Sequence, residues 1–270
     1  MNHYKEIMTG VEEHYKEALN YFSTNRIVGI FLQGSQNYKL ETPNSDIDTK
    51  LIVVPTFEDI AFNKKPVSTT HIRQNDEHID FKDIRLYIET FRKQNLNFIE
   101  ILFTDYLALN PLYSDLWNIL VHYREEIAHY HWDRALKSMY GVACEKRHAL
   151  QHPYPSKLEI LEKHGYDAKQ LHHLIRINRF IENYIKDMPY KECMILPESE
   201  RKHLIAVKNF KYPVEVAIRI ADDCIKNITE IVDNSLNGEK PNAQVDEMLN
   251  YVQLEIMKRA IKEEFNVYPY

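Results

Sequence analysis

The segment Gly34-Ser35-Gln36-Asn37-Tyr38 is followed, after a polar loop, by Ser45-Asp46-Ile47-Asp48-Thr49-Lys50. In an extended strand, residues two apart project to the same face, so this spacing predicts paired carboxylates from Asp46 and Asp48 with Ile47 turned to the core. Hard Mg2+ takes oxygen ligands, usually a few carboxylates together with substrate phosphates. Asp80 lies between Ile79 and Phe81 on a further expected strand. Neighbouring strands lie about 4.8 Å apart, so it could join the first two acids in one patch, where their repulsion calls for cations. Gly34 lets the backbone approach a phosphate closely, and a helical turn after it aims N–H groups at the anion. Taken singly, Gly-Ser after a strand is common, and D-x-D is most often a solvated turn. Their order and spacing point to a phosphate held between the turn and a metal ion.

At these residues the sequence resembles the DNA polymerase β-type nucleotidyltransferases: strand, Gly-Ser, short helix, a strand bearing D-x-D, and a third acid on a later strand. Gly34-Ser35, Asp46, Asp48 and Asp80 carry the match. The longer string GSQNYKLETPNSDIDTK is similar to predicted bacterial and phage nucleotidyltransferases, including those encoded beside RNA-repair ligases. Lys39 stands where that pattern has a glycine after Tyr38. QNLNFIEILF is similar to the family's Asn-Pro-Asn and downstream Glu pattern, with Leu96 replacing proline and Glu100 matching.

The resemblance implies transfer of a nucleoside monophosphate from an NTP, such as ATP, to a hydroxyl, with release of pyrophosphate. Asp46, Asp48 and Asp80 would be catalytic and would hold two Mg2+ ions, with Mn2+ able to substitute. Gly34, Ser35, Tyr38, Ser45 and Lys50 would bind the nucleotide. The implied acceptor is an RNA or tRNA end; the alternatives are a protein hydroxyl, as in antitoxin-like relatives, or a non-catalytic nucleotide sensor.

A second block, His164-Gly165-Tyr166-Asp167 with Lys169, His173 and Arg176, resembles the same family's helical-domain signature. Spacing alone places Lys169, His173 and Arg176 on one helical stripe, which could be a solvated face or a grip for a triphosphate tail. The resemblance implies the latter. Lys157 and Lys146 are further basic candidates for the same role, whereas His172 points to another face, surface or core.

The elements that must position these residues read as α+β. Apolar residues at Ile7, Val11, Tyr15, Ala18, Leu19 and Phe22 predict an opening amphipathic helix. IVGIFLQGS and DIDTKLIVVP read as buried strands. Between them, QNYKLETPNS reads as a loop with one helical turn. THIRQNDEHIDF reads as a hairpin around Gln74-Asn75-Asp76, followed by a helix from Asp83 to Lys93. Beyond Asn95 the helical period dominates over 113–127, 132–150, 168–185, 213–232 and 243–265, punctuated by prolines near the expected helix ends. The reading is a nucleotidyltransferase-like core with a mixed sheet over 1–108 and a helical bundle over 109–270 that closes over the nucleotide.

Composition sets the outer limits. The chain has 270 residues and a formal net charge of −6, which argues against coating nucleic acid through a diffuse positive field but leaves room for a local basic groove. No apolar run near the N-terminus approaches the roughly 18–20 residues of a membrane span, and MNHYKEIMTG has no signal-peptide core. A soluble, cytoplasmic protein with no membrane partner is expected. Cys144, Cys193 and Cys224 form no C-x-x-C and are expected to be reduced. His129-Tyr130-His131 lacks the acid of a zinc-protease helix, and neither a P-loop nor a G-x-S-x-G elbow occurs.

Overall fold

A computed structural model describes residues 2–43 and 45–267. The fold is α+β, with one mixed five-stranded sheet and, among the described residues, thirteen α-helices. It divides into two compact units.

The first unit opens with helix α1 (Asn2–Ala18) and strand β1 (Ile27–Gln33), the latter buried until its last residue. A 3-10 turn over Ser35–Tyr38 follows, then β2 (Asp48–Val53), α2 (Phe57–Ala61), β3 (Ser68–Ile72) and β4 (His78–Asp83). Helices α3 (Ile84–Arg92) and α4 (Leu96–Ile99), strand β5 (Leu107–Leu109), and helices α5 (Ser114–His122) and α6 (Arg124–Ala128) continue it. The sheet order is β3-β4-β2-β1-β5, with β2 and β4 parallel and the other pairs antiparallel.

The two-residue period of the strands sorts side chains onto two chemically different faces. Ile30, Leu32, Leu51, Val53, Ile79 and Phe81 form a core with Ile7, Val11 and Ala18 of α1. The register places Gln33 opposite Asp48, Lys50 opposite Asp80, and Thr70 opposite Asp80, so the other face carries these polar groups together. Phe31 shares that face, and its ring lies 4.3 Å from that of Trp117.

The second unit consists of α7 (Trp132–Ala149), α8 (Leu158–His164), α9 (Ala168–Tyr184), α10 (Tyr190–Met194), α11 (Glu198–Lys208) and α12 (Val214–Ser235), joined by Tyr38–Leu40. Helix α9 is its centre: Leu171, Leu174, Ile177, Phe180, Ile181 and Tyr184 are buried, and the helix packs on α7, α11 and α12. Prolines 189, 197 and 213 cap the N-termini of α10, α11 and α12, where a missing N–H costs nothing.

The last helix, α13 (Ala243–Val267), belongs to the first unit. Arg259 on α13 holds Asp115 through both guanidinium nitrogens at 2.5 and 2.7 Å, and Arg92 reaches Asp246 at 2.7 Å. The division into compact units thus falls between Tyr130 and His131 and returns the C-terminal helix to the first unit, whereas the sequence reading divides the chain into 1–108 and 109–270.

Most expected elements are present, alongside short helices that were not expected, and three further differences bear on the first unit. The span 113–127 is two helices broken at Tyr123, whose ψ of 20° leaves the helical region. Strand β5 lies beyond Asn95, too short at three residues to give a period. Asp46 is not in a strand, since β2 begins at Asp48.

Candidate functional site

The strand start explains where the acids sit. Asp48 pairs with Gln33, the last residue of β1, after which Gly34 turns the chain away at φ 97°. Residues before Asp48 therefore have no strand of the sheet beside them, and Asp46 is an exposed loop residue rather than the same-face partner of Asp48 expected from an extended strand. Ile47 does turn inward, and a Cβ built on Gly10 of α1 would collide with its Cδ1.

Other bonds hold the Asp46 loop. Gln36, buried in the 3-10 turn, donates its Nε2 to the Asp46 carbonyl at 2.8 Å, which joins the Gly34-Ser35 turn to the acid loop. Glu77 Oε1 accepts the Ile47 N–H at 3.2 Å, and Asp48 Oδ1 accepts the His78 N–H at 2.9 Å. The buried Asn37 donates to the Leu32 carbonyl at 2.9 Å and accepts the Thr104 hydroxyl at 2.7 Å, pinning the turn to the end of β1. The turn itself is open: a Cβ on Gly34 would meet nothing closer than Gln36 Oε1 at 4.0 Å.

Asp80 stands one strand over from Asp48, embedded in a polar network. Its Oδ1 accepts the Thr70 hydroxyl at 2.6 Å, and its Oδ2 accepts Gln33 Nε2 at 3.3 Å and lies 3.6 Å from Lys50 Nζ. Lys50 also donates to Gln33 Oε1 and sits 4.4 Å above the Phe98 ring, which Lys82 approaches at 5.0 Å. Burial and the neighbouring Lys50 lower the Lys82 pKa. Lys50 is thus the built-in counterion of Asp80 in this network. Among the described residues, no three His, Cys, Asp or Glu side chains converge as a metal-ligand group.

The remaining sequence-derived candidates are more dispersed. The Ser45 hydroxyl accepts the Thr42 N–H at 2.8 Å, closing the turn that precedes Asp46. Lys39 adopts φ 54°, the left-handed conformation a glycine would take without strain.

In the second unit, Lys157 lies 3.4 Å from Asp167, and Asp167 also caps α9 by accepting the Lys169 N–H at 2.9 Å. The stripe on α9 is graded, with Lys169 exposed, His173 half-buried and Arg176 buried. Desolvation, reinforced by Arg176, holds the His173 pKa well below its ordinary value. The Arg176 guanidinium stacks 3.9 Å over the Tyr38 ring, and its Nη1 is buried without a hydrogen-bond partner. His172 is a core residue that bonds the Leu204 carbonyl through Nδ1 at 2.9 Å.

Sequence reasoning missed Gln33, Gln36, Glu77 and His14. Gln36 and Asn37 stand inside the recognised turn, and two amide side chains following Gly-Ser were the available signal. Gln33 and Glu77 acquire meaning only from strand register, which local pattern does not give.

Compared with models of known protein families the chain matches none, and it matches no curated protein. No helix among the described residues is long and apolar enough to cross a membrane.

Proposed function

We propose that the protein is a polymerase β-type nucleotidyltransferase that moves a nucleoside monophosphate from an NTP to a hydroxyl, with an RNA end as the acceptor. The observation that carries this reading is the Gln36–Asp46 hydrogen bond, which ties the uncrowded Gly34 turn to the loop bearing the first acid. Asp48 begins β2, and Asp80 lies on the adjacent parallel strand β4, opposite Lys50.

The donor chemistry suits Mg2+. Asp46 and Asp48 offer hard carboxylate oxygens, and this ion commonly takes only one or two protein carboxylates beside substrate oxygens. When bound, Mg2+ would supply electrostatic stabilisation of the attacking and leaving oxygens.

The chain's own groups would do the rest. The backbone at Gly34 and Ser35 would hold phosphate oxygens, while Gln36 and Glu77 fix the Asp46 loop through its backbone. Asp80 would accept the proton of the acceptor hydroxyl as that oxygen bonds to the α-phosphorus, the bond to the β-phosphate breaks and pyrophosphate departs. Lys50, 3.6 Å from its Oδ2, would orient Asp80 before the substrate arrives.

The test is incubation of the purified protein with each α-labelled NTP, Mg2+, total RNA and lysate protein. Label in RNA that disappears in Asp46→Ala and Asp48→Ala variants of native fold is expected. Label in protein would move the acceptor to a protein hydroxyl, and no label in any macromolecule would overturn the enzyme reading.

A further inference from the structure

Behind the Asp46 loop, on the α1 side, lies a second set of polar groups. His14 of α1 is fully buried. Its Nδ1 lies 2.9 Å from Thr49 Oγ1 and its Nε2 lies 3.0 Å from Glu77 Oε2. Glu77, near the turn of the β3–β4 hairpin, accepts Arg73 Nη1 on Oε2 at 2.6 Å and the Ile47 N–H on Oε1 at 3.2 Å. Arg73 is held in turn by Glu17 of α1 at 2.7 Å. One carboxylate therefore spans from a buried helix residue to the peptide N–H that lies between Asp46 and Asp48.

The donors are determined by the chemistry of the groups. A carboxylate only accepts, so His14 Nε2 carries a proton toward Glu77. In the neutral ring Nδ1 is then an acceptor, and the Thr49 hydroxyl donates to it. The chain Thr49–His14–Glu77–Ile47 starts one residue after Asp48 and ends one residue before it, so it clamps the loop against the start of β2. Arg73, Glu17 and His71 complete the polar surroundings, with His71 Nε2 2.6 Å from Glu17 Oε1. Thr49 belongs to the same strand as Asp48 but to the opposite face, so its hydroxyl serves the clamp and not the acid patch.

We propose that His14 and Glu77 are positioning residues that set the separation of the Asp46 and Asp48 carboxylates through the Ile47 peptide and Thr49. This rests on the reading that those two acids hold a divalent cation. Partners of this indirect kind, once removed, cost roughly ten- to a hundredfold in metal affinity.

The experiment is Mn2+ titration of the full chain, followed by electron paramagnetic resonance, with thermal melting measured on every variant. Glu77→Ala is expected to weaken Mn2+ binding by about tenfold or more. Thr49→Val, which keeps the shape and removes the hydroxyl, is expected to weaken it as well, whereas Thr49→Ser restores it. The Thr49 pair carries the decision if Glu77→Ala does not fold. Wild-type affinity in Glu77→Ala, or equal affinity in Thr49→Val and Thr49→Ser, overturns the positioning role alone. A wild-type chain that binds no Mn2+, or binds it equally in Asp46→Ala, overturns the metal reading and the positioning role with it.

Discussion

Gln36 and Asp46 are joined by one hydrogen bond, from the side-chain amide of the first to the main-chain carbonyl of the second, 2.8 Å long. The bond leaves the Asp46 carboxylate free of backbone duty while fixing where its Cα sits. Gln36 is buried and Asp46 is exposed, so breaking the bond leaves a carbonyl that water can reach. Gln36→Leu should therefore cost only about 1 kcal/mol of stability, the usual net value of such a bond. Its larger effect should be on Mn2+ affinity, because the loop loses its tie to the turn. Urea midpoints and Mn2+ titration on the same preparation separate the two, and unchanged Mn2+ binding would show that the bond does not set the acid's position.

Gly34 and Lys39 both occupy positive φ, at 97° and 54°, and should respond oppositely to substitution. Gly34→Ala meets no steric wall, so its cost is backbone strain alone, on the order of 1–2 kcal/mol. Lys39→Gly relieves the same kind of strain and should stabilise, by less than about 1 kcal/mol after the extra unfolded-state entropy of glycine is subtracted. A stabilising Gly34→Ala in chemical denaturation would mean the turn is not held at that angle.

Burial pushes the His172 pKa down to about 4 from an ordinary 6.5, more than its bond to the Leu204 carbonyl can offset. Between those values the unfolded chain binds a proton that the folded chain does not. The stability tied to the neutral ring is therefore complete above about pH 6.5 and drains as pH falls toward about 4. Between about pH 7.5 and about pH 5 the loss should be about 2 kcal/mol from this residue. His173 and His14 are depressed in the same direction and add to the wild-type loss. His172→Gln keeps a donor for the carbonyl and should flatten the stability–pH curve by that amount; an unchanged slope in denaturant melts would refute it.

The sequence made the architecture legible wherever one period ran long enough. Helices α7, α9, α12 and α13 fall close to their expected spans because each presents a sustained apolar stripe. Helices α8, α10 and α11 escaped, being short or weakly patterned. At the site, the turn at Gly34 and the inward Ile47 were legible, but the conformation of Asp46 was not. Its place depends on Gln36 and Glu77, which reach it from the turn ahead of it and from a hairpin thirty residues on. His14 left a trace: it stands at position 14 in the series Ile7, Val11, Ala18, a polar residue on an apolar stripe. That pattern alone marks a satisfied core histidine, and only the pairing of β2 with β4 brings Thr49 and Glu77 to its two nitrogens.

Arg176 offers the sharpest contrast between stability and binding. It is buried, its Nη1 has no hydrogen-bond partner, and Tyr38 covers its guanidinium at 3.9 Å. A buried guanidinium nitrogen left without a hydrogen-bond partner costs stability, so an apolar side chain of similar volume should serve the fold at least as well. Arg176→Met should accordingly melt at the same temperature or higher. If the stripe formed with Lys169 and His173 serves a polyphosphate, the same change should remove a charge-assisted contact worth roughly 1.5–3 kcal/mol and raise the dissociation constant for inorganic triphosphate about ten- to a hundredfold. Calorimetric titration with triphosphate, run beside a melt, reads both quantities from one sample. Gained stability together with lost affinity would mark Arg176 as a group kept for its ligand. Unchanged affinity would mean that its partner is the Tyr38 ring alone, and that the stripe takes no part in holding phosphate.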